Sequence, residues 1–422
     1  MPDQPSSLVT RHGVCTAEGF LPASSPSWPR WSTFVSGDAV RCTSVTARRG
    51  GQSHLWNGQP RQSTQLPATA SIIGCAHNIA PALDHAHLET IGGVFRDYRV
   101  TIWEDGSRDN TAAKLQSWAA RNPRVRILLG DTPAFFGIPS ILHRVYPISF
   151  CRSVLLAEVM REHHGMRNHN QSEHEISAPV RGQHGHGHGH GRWSSLAQVL
   201  VSIDLDCPPV LTPSAVGRAV HTLLGLGSWS QGGVRRAGSG GGEGGGAAAT
   251  EATKGWDALF GNSLPRYYDV WALRSTALGI DYDCLHNKTE ARKRGVCFDY
   301  DLRLDPAAPV LEVDSAFNGV GIYRVASLHR ARDAAGALCR YGGTKLHSSC
   351  EHVGFHMCLR GAGLRLGIAP DLVTGCGAEH ARDEYMHEQR VTLRANGDIV
   401  QTKVLYDPTI VTLKRLRRAA RP

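Results

Sequence analysis

The 422 residues are too many for a minimal domain and suit one large domain with tails. At 41% hydrophobic and 20% charged, the chain can bury a substantial core, so disorder throughout is excluded. Of the formal net charge of +9, five charges sit in a tail at Lys414, Arg415, Arg417, Arg418 and Arg421, which suits weak contact with a membrane surface and does not call for nucleic acid.

Residues 1–66 are rich in Ser, Pro, Gly, Arg and Trp without steady periodicity and are expected to be irregular. Order is expected from near Ala68, with a short apolar strand over 68–75 and helix-compatible spacing over 80–94. A second strand over 98–103 runs into Glu104-Asp105-Gly106-Ser107, and a helix over 111–120 precedes a third strand over 124–129. A helix over 149–163 follows. This alternation predicts an α/β domain over 67–385 with a mostly parallel central sheet flanked by helices.

Inserts near 165–192 and 229–252 contain a His-Gly tract (182–191) and a Gly-Ala tract (238–250). Neither buries enough surface to offset its ordering entropy, so both are expected as mobile loops. The His tract has no fixed geometry to hold a metal tightly. Residues 386–422 read as an extension ending in the basic tail.

No run approaches ~18 uninterrupted apolar residues, so no spanning helix is expected. The start, Met1-Pro2-Asp3-Gln4, lacks the pattern of a signal peptide. A cytoplasmic chain, or a Golgi-associated one with its targeting segment missing, both fit. Eleven cysteines without Cys-x-x-Cys pairs argue against a dense disulfide framework, although one or two bridges would suit an oxidising compartment.

The chemistry concentrates at Val199-Leu200-Val201-Ser202-Ile203-Asp204-Leu205-Asp206. An apolar strand runs into two carboxylates two residues apart, and in extended chain such positions share a side. Hard oxygens there suit Mg²⁺ or Mn²⁺ with coordination positions left for phosphate. The carboxyl end of a strand is also where open α/β sheets bind ligands.

Residues 98–111 (YRVTIWEDGSRDNT), the Asp204-x-Asp206 pair, residues 316–324 (AFNGVGIYR) and residues 350–370 occur in the order found in nucleotide-sugar glycosyltransferases. Over residues 68–385 the chain resembles that class in its GT-A, family-2-like form. Residues 143–159 and 267–274 (YYDVWALR) are similar to fungal capsule-type mannosyltransferases. The resemblance implies a GT-A fold and transfer from GDP-mannose or a UDP-sugar to a glycan or other hydroxyl acceptor.

It also implies roles. Asp204 and Asp206 would hold Mn²⁺ or Mg²⁺, with His380 as a third ligand. Glu104, Asp105, Arg152 and Asp204 would meet the donor, although Arg152 reads more readily as a surface arginine. Tyr268, Asp269, Trp271, Asn318 and Gly319 would line the acceptor side, with the rings stacking on a sugar face. Glu351 would be the general base of an inverting transfer, with Asp314 as its rival. The cluster Cys350, His352, His356 and Cys358 lacks the spacing of a zinc site, and core packing of its cysteines is expected instead. A non-catalytic carbohydrate- or nucleotide-binding protein on the same fold is the rival from another class. A sugar nucleotidyltransferase is a third, but it calls for a basic Gly-rich phosphate loop that residues 73–80 lack.

Overall fold

A computed structural model describes residues 8–16, 19–22, 39–47, 65–130, 142–175, 198–207, 209–226, 255–280, 300–341, 350–376 and 389–403. Strands β1 (Leu8–Thr16), β2 (Gly19–Pro22) and β3 (Ala39–Ala47) precede the predicted domain. β4 (Leu66–Ala76), helix α1 (His85–Gly92), β5 (Phe95–Asp105), α2 (Thr111–Arg121) and β6 (Val125–Gly130) then alternate as expected. α3 (Leu142–Glu175), β7 (Val199–Ile203), α4 (Pro213–Leu224) and β8 (Ala258–Ser263) follow. The remaining elements are β9 (Tyr300–Leu304), β10 (Leu311–Val313), β11 (Val320–Arg324), α5 (Val325–Arg330), α6 (Glu351–Gly361), β12 (Leu366–Thr374), β13 (Gln389–Leu393) and β14 (Ile399–Lys403).

One sheet takes the order β10-β12-β8-β11-β7-β4-β5-β6-β3-β1-β2. β7, β4, β5 and β6 are parallel neighbours, as are β8 and β12, while β11 runs antiparallel between β7 and β8. The protein is therefore α/β with a largely parallel centre. Adjacent strand residues feed opposite cores: Ile73, Trp103 and Leu200 join the helices α3 and α6, whereas Ile72, Ile102 and Val201 join α1, α2 and α4. Helices thus cover both faces. Among the described residues no helix is long and apolar enough to cross a membrane.

Two boundaries differ from the sequence expectation. β3 pairs with β6 and β1 with β3, so part of residues 1–66 extends the sheet rather than lying irregular. β13 and β14 form a second sheet with β9, and Val391 and Leu393 are buried with Leu302 and Leu304. Residues 389–403 are therefore part of the fold, not an extension from it. In both cases the pairing partner is far away in sequence, where local periodicity carries no signal. α3 also runs to Glu175, into the expected insert. The His-Gly and Gly-Ala tracts and the basic tail lie outside the described residues.

The expectation of few disulfides is overturned. Cys15–Cys42, Cys75–Cys151, Cys207–Cys376 and Cys339–Cys358 are bonded, and Cys350 is buried outside these disulfides. Sequence separations of 27, 76 and 169 explain why spacing concealed the first three pairs.

Candidate active site

β7 is buried along Val199–Ser202 between β4 and β11, and the chain turns as it leaves the sheet. Leu205 buries against Gly74, where an added Cβ would come 2.8 Å from Leu205 Cγ. That anchor leaves Asp204 half-buried and Asp206 exposed on either side of it. The Asp204 N–H donates to Gly319 O at 2.9 Å.

Arg152 projects from α3 and is 7% exposed, so it is not a surface arginine. A buried guanidinium must be matched. Nη2 donates to Asp204 Oδ1 at 2.7 Å, and Nη1 donates to Glu351 Oε1 and to His352 Nε2, the latter at 2.5 Å. The guanidinium carbon lies 4.6 Å above the Phe317 ring, on which His352 stacks at 3.8 Å. Burial, with the Arg152 charge adding to it, drives His352 far below the usual imidazole range. The neutral ring accepts through Nε2 and so carries its proton on Nδ1, which has no partner.

His356, one turn further along α6, meets Ser315 Oγ at 3.0 Å and Tyr323 Oη at 2.9 Å, and burial lowers its pKa to about 3. These two histidines and Cys350 are core and network residues. Cys358, bonded to Cys339, cannot ligate zinc.

Two carboxylates contact this guanidinium, and a third, Asp269, feels its charge. Burial raises Glu351 against the pull of Arg152. Burial also raises Asp204 to about 6, with Arg152 opposing and the Asp206 and Asp269 charges adding to the rise. Asp269 is raised by burial and held back by hydrogen bonds from the backbone N–H groups of Ala272 (3.2 Å) and Asn318 (3.3 Å). Asn318 Oδ1 in turn accepts from the Asp269 N–H at 3.1 Å. Asn318 and Gly319 adopt left-handed backbone, φ 55° and 84°. At Gly319 an added Cβ would lie 2.0 Å from Cys376 Sγ, so the turn admits no side chain.

Beside Asp204 lies an open cleft, lined by Leu83, Asp84 and His87 and by Gly319, Thr374 and Cys376. Asp204 and Gly319 are the predicted site residues that line it. Glu104 and Asp105 end β5, which β4 separates from β7, and lie outside that lining. Glu104 Oε1 accepts from the Ser107 N–H at 2.7 Å, and Asp105 O accepts from His77 Nδ1 at 2.6 Å. Tyr268 and Trp271 are exposed on the loop carrying Asp269. Asp314 lies apart, paired with Arg360 at 3.3 Å. His380 is outside the described residues. Sequence reasoning missed Asp84, His352 and the Cys207–Cys376 bond. Asp84 caps α1 by accepting from the His87 N–H at 3.0 Å, and an Asp before a helical pattern was its one readable signal.

A hard divalent cation suits this donor set. The carboxylates of Asp204 and exposed Asp206 offer the hard oxygens that such a cation takes, and burial, with the Asp206 charge adding to it, raises Asp204 in the direction a cation opposes. Among the described residues the grouping of three metal-capable side chains is Asp204, Cys207 and Cys376, within 4.8 Å of one another, but its sulfurs are bonded together.

No family model and no curated protein matches the chain. Among solved structures it is similar to a mannosyltransferase from Pyrobaculum calidifontis in complex with GDP-Man and Mn²⁺, at 12% identity and a TM-score of 0.33, covering 76% of this chain and 60% of that one. Glucosyl-3-phosphoglycerate synthase from Mycobacterium tuberculosis, in complex with Mn²⁺, UDP and its product, aligns at 11% identity and a TM-score of 0.29, covering 84% and 81%. S. aureus TarS aligns at 11% identity and a TM-score of 0.29, covering 72% and 59%. The chain thus spans less than two thirds of the first and third. At such scores the superpositions decide nothing about its chemistry.

Proposed function

We propose that the protein is a metal-dependent glycosyltransferase of GT-A type, moving a sugar from a nucleoside-diphosphate donor to a hydroxyl acceptor. The observation that carries this reading is buried Arg152 held by Asp204 and Glu351, with Asp204 at the carboxyl end of the parallel strand β7 and lining a cleft. With Asp269 and Asp206 counted, four carboxylates stand against one guanidinium, an excess of negative charge that a divalent cation offsets.

When the glycosidic bond breaks, negative charge develops on the departing diphosphate. Asp204 and Asp206 would hold a divalent cation, which would supply Lewis acidity to that diphosphate. Arg152 holds the Asp204 carboxylate in place and contributes a fixed positive charge below it. Glu351 is the counter-ion of Arg152 through Oε1, so a proton from the acceptor would be taken on Oε2. Glu104 and Asp105, two strands away on β5, remain the groups for the nucleobase or ribose. His380 is the proposed third metal ligand. The resemblance of residues 267–274 to capsule-type mannosyltransferases favours GDP-mannose over UDP-sugars.

The test is hydrolysis and transfer with a panel of GDP- and UDP-sugars in Mn²⁺, repeated with chelator. One donor should turn over, and chelator should stop it. Asp204→Asn and Asp206→Asn should each lower turnover by ~10²-fold or more. Undiminished turnover in both variants would end the metal reading.

A further inference from the structure

Cys207 and Cys376 both line the cleft beside Asp204, and none of the cysteines in the other three disulfides does. Cys376 is buried and Cys207 half-buried, so Cys207 is the sulfur partner that a reagent in the cleft meets first.

The sheet holds these two cysteines together. β12 runs parallel to β8, β8 antiparallel to β11, and β11 antiparallel to β7, so β7 and β12 end at the same edge. Cys207 follows the first of these ends and Cys376 the second, and Gly319, just before β11, lies against both. A Cβ at Gly319 would strike Cys376 Sγ and come 3.2 Å from Cys207 Sγ. The missing side chain makes room for the two sulfurs. Although 169 residues separate the cysteines in sequence, strand pairing sets their proximity, so they stay neighbours once the bond between them is opened.

An oxygen of Asp204 and the two sulfurs lie within 4.8 Å of one another. Bonded to each other, the sulfurs give a metal nothing. As thiolates they are soft ligands that favour zinc, unlike the hard cations suited to Asp204 and Asp206. Tetrahedral zinc, with bonds of about 2.3 Å to sulfur and 2.1 Å to oxygen, sets its ligand atoms roughly 3.6–3.8 Å apart, inside that spread. A water from the cleft completes the four.

We propose that Cys207, Cys376 and Asp204 form a redox-gated zinc site, closed while the disulfide stands and opened by a dithiol reductant. A thiolate of the dithiol attacks Cys207 Sγ, the bond to Cys376 breaks, and Cys376 leaves as a thiolate. The second thiol of the reductant then displaces Cys207 as it closes a disulfide of its own. Two electrons pass to the protein, and the dithiol is oxidised. Zinc binds the two thiolates, and the two protons that came from the dithiol go to solvent. Because Asp204 is shared, zinc there withdraws it from a hard cation held with Asp206. The bond that braces the turn in oxidising surroundings thus gives way, in reducing ones, to an inhibitory metal site.

The experiment treats the full chain with limiting dithiothreitol, removes the reductant without air and adds Co²⁺ as a coloured stand-in for zinc. Alkylation and mass mapping of a parallel sample should find Cys207 and Cys376 labelled ahead of Cys15, Cys42, Cys75 and Cys151. One equivalent of Co²⁺ should give thiolate-to-metal charge-transfer absorption that Zn²⁺ abolishes and that untreated protein lacks. Protein alkylated at both cysteines before the addition should also lack it, a control that needs no variant to fold. Cys207→Ser should lose the band, and Asp204→Asn should bind Co²⁺ about tenfold or more weakly. The double variant Cys339→Ser, Cys358→Ser should keep it. A Cys207–Cys376 bond that stays closed while the others open overturns the site. So does the same band in Cys207→Ser, or no band where mapping shows both thiols free. The spectrum reads the site whether or not a sugar donor turns over, so its failure leaves the glycosyltransferase reading standing.

Discussion

Arg152 shows how one buried side chain organises a site. Its charge would be prohibitive at 7% exposure without the carboxylates of Asp204 and Glu351, and theirs without it. The neutral histidines of α6 complete the enclosure. His356 is 0% exposed and its pKa is lowered from 6.5 to about 3, chiefly by burial. Between those values the unfolded chain binds a proton that the native ring refuses. Stability from this group is therefore present above pH 6.5 and is lost as pH falls, by about 2 kcal/mol at pH 5. His356→Gln has no such proton to refuse. Urea unfolding at pH 7 and pH 5 should show the unsubstituted protein losing about 2 kcal/mol more across that interval than His356→Gln. Equal losses would mean that His356 is already charged in the native state.

At the scale of elements, the turn joining Phe317 to β11 determines where the β7 carboxylate sits, because Gly319 O receives the Asp204 N–H. Gly319→Ala meets two penalties, a left-handed φ of 84° and a Cβ 2.0 Å from Cys376 Sγ. Together they should cost about 2–5 kcal/mol, either as lost stability or as failure of Cys207 to pair with Cys376. Denaturant melts, together with thiol titration of the unfolded chain, distinguish these two outcomes. A variant with unchanged stability and no extra free thiol would show that the turn relaxes freely. Much of this was legible beforehand: β7 running into Asp204, and Asn318-Gly319 as a punctuated apolar segment. What joins them was not. Arg152 reaches Asp204 across 52 residues and Glu351 across 199, and nothing local to position 152 distinguishes a buried hub from a surface arginine.

Over the whole molecule the same distinction recurs. β4, β5 and β6 were readable because each is an apolar run of strand length, whereas β1 and β3 mix polar residues and exist through pairing with β6 and with one another. The disulfides, equally unreadable, are not scattered with respect to the site. Cys151 adjoins Arg152, Cys207 adjoins Asp206, and Cys358 lies on α6 with Glu351, whereas Cys15–Cys42 joins β1 to β3 near the far edge of the sheet. Three bonds thus brace the elements that carry charge, and one braces an edge. Loop-closure entropy predicts that Cys15–Cys42, across 27 residues, contributes about 3.5 kcal/mol and Cys75–Cys151, across 76, about 4.5 kcal/mol. Stability alone therefore barely separates them, but position does. Removing Cys75–Cys151 with a double alanine substitution frees the segment of α3 that aims Arg152 at Asp204, so donor turnover should fall along with the melting temperature. Removing Cys15–Cys42 in the same way should lower the melting temperature comparably and leave turnover, assayed well below that temperature, nearly intact. Thermal melts and donor hydrolysis on the two variants make the comparison. Equal losses of turnover in both would show that these bonds serve folding alone and that Arg152 is held by its carboxylates without help from the disulfide beside it.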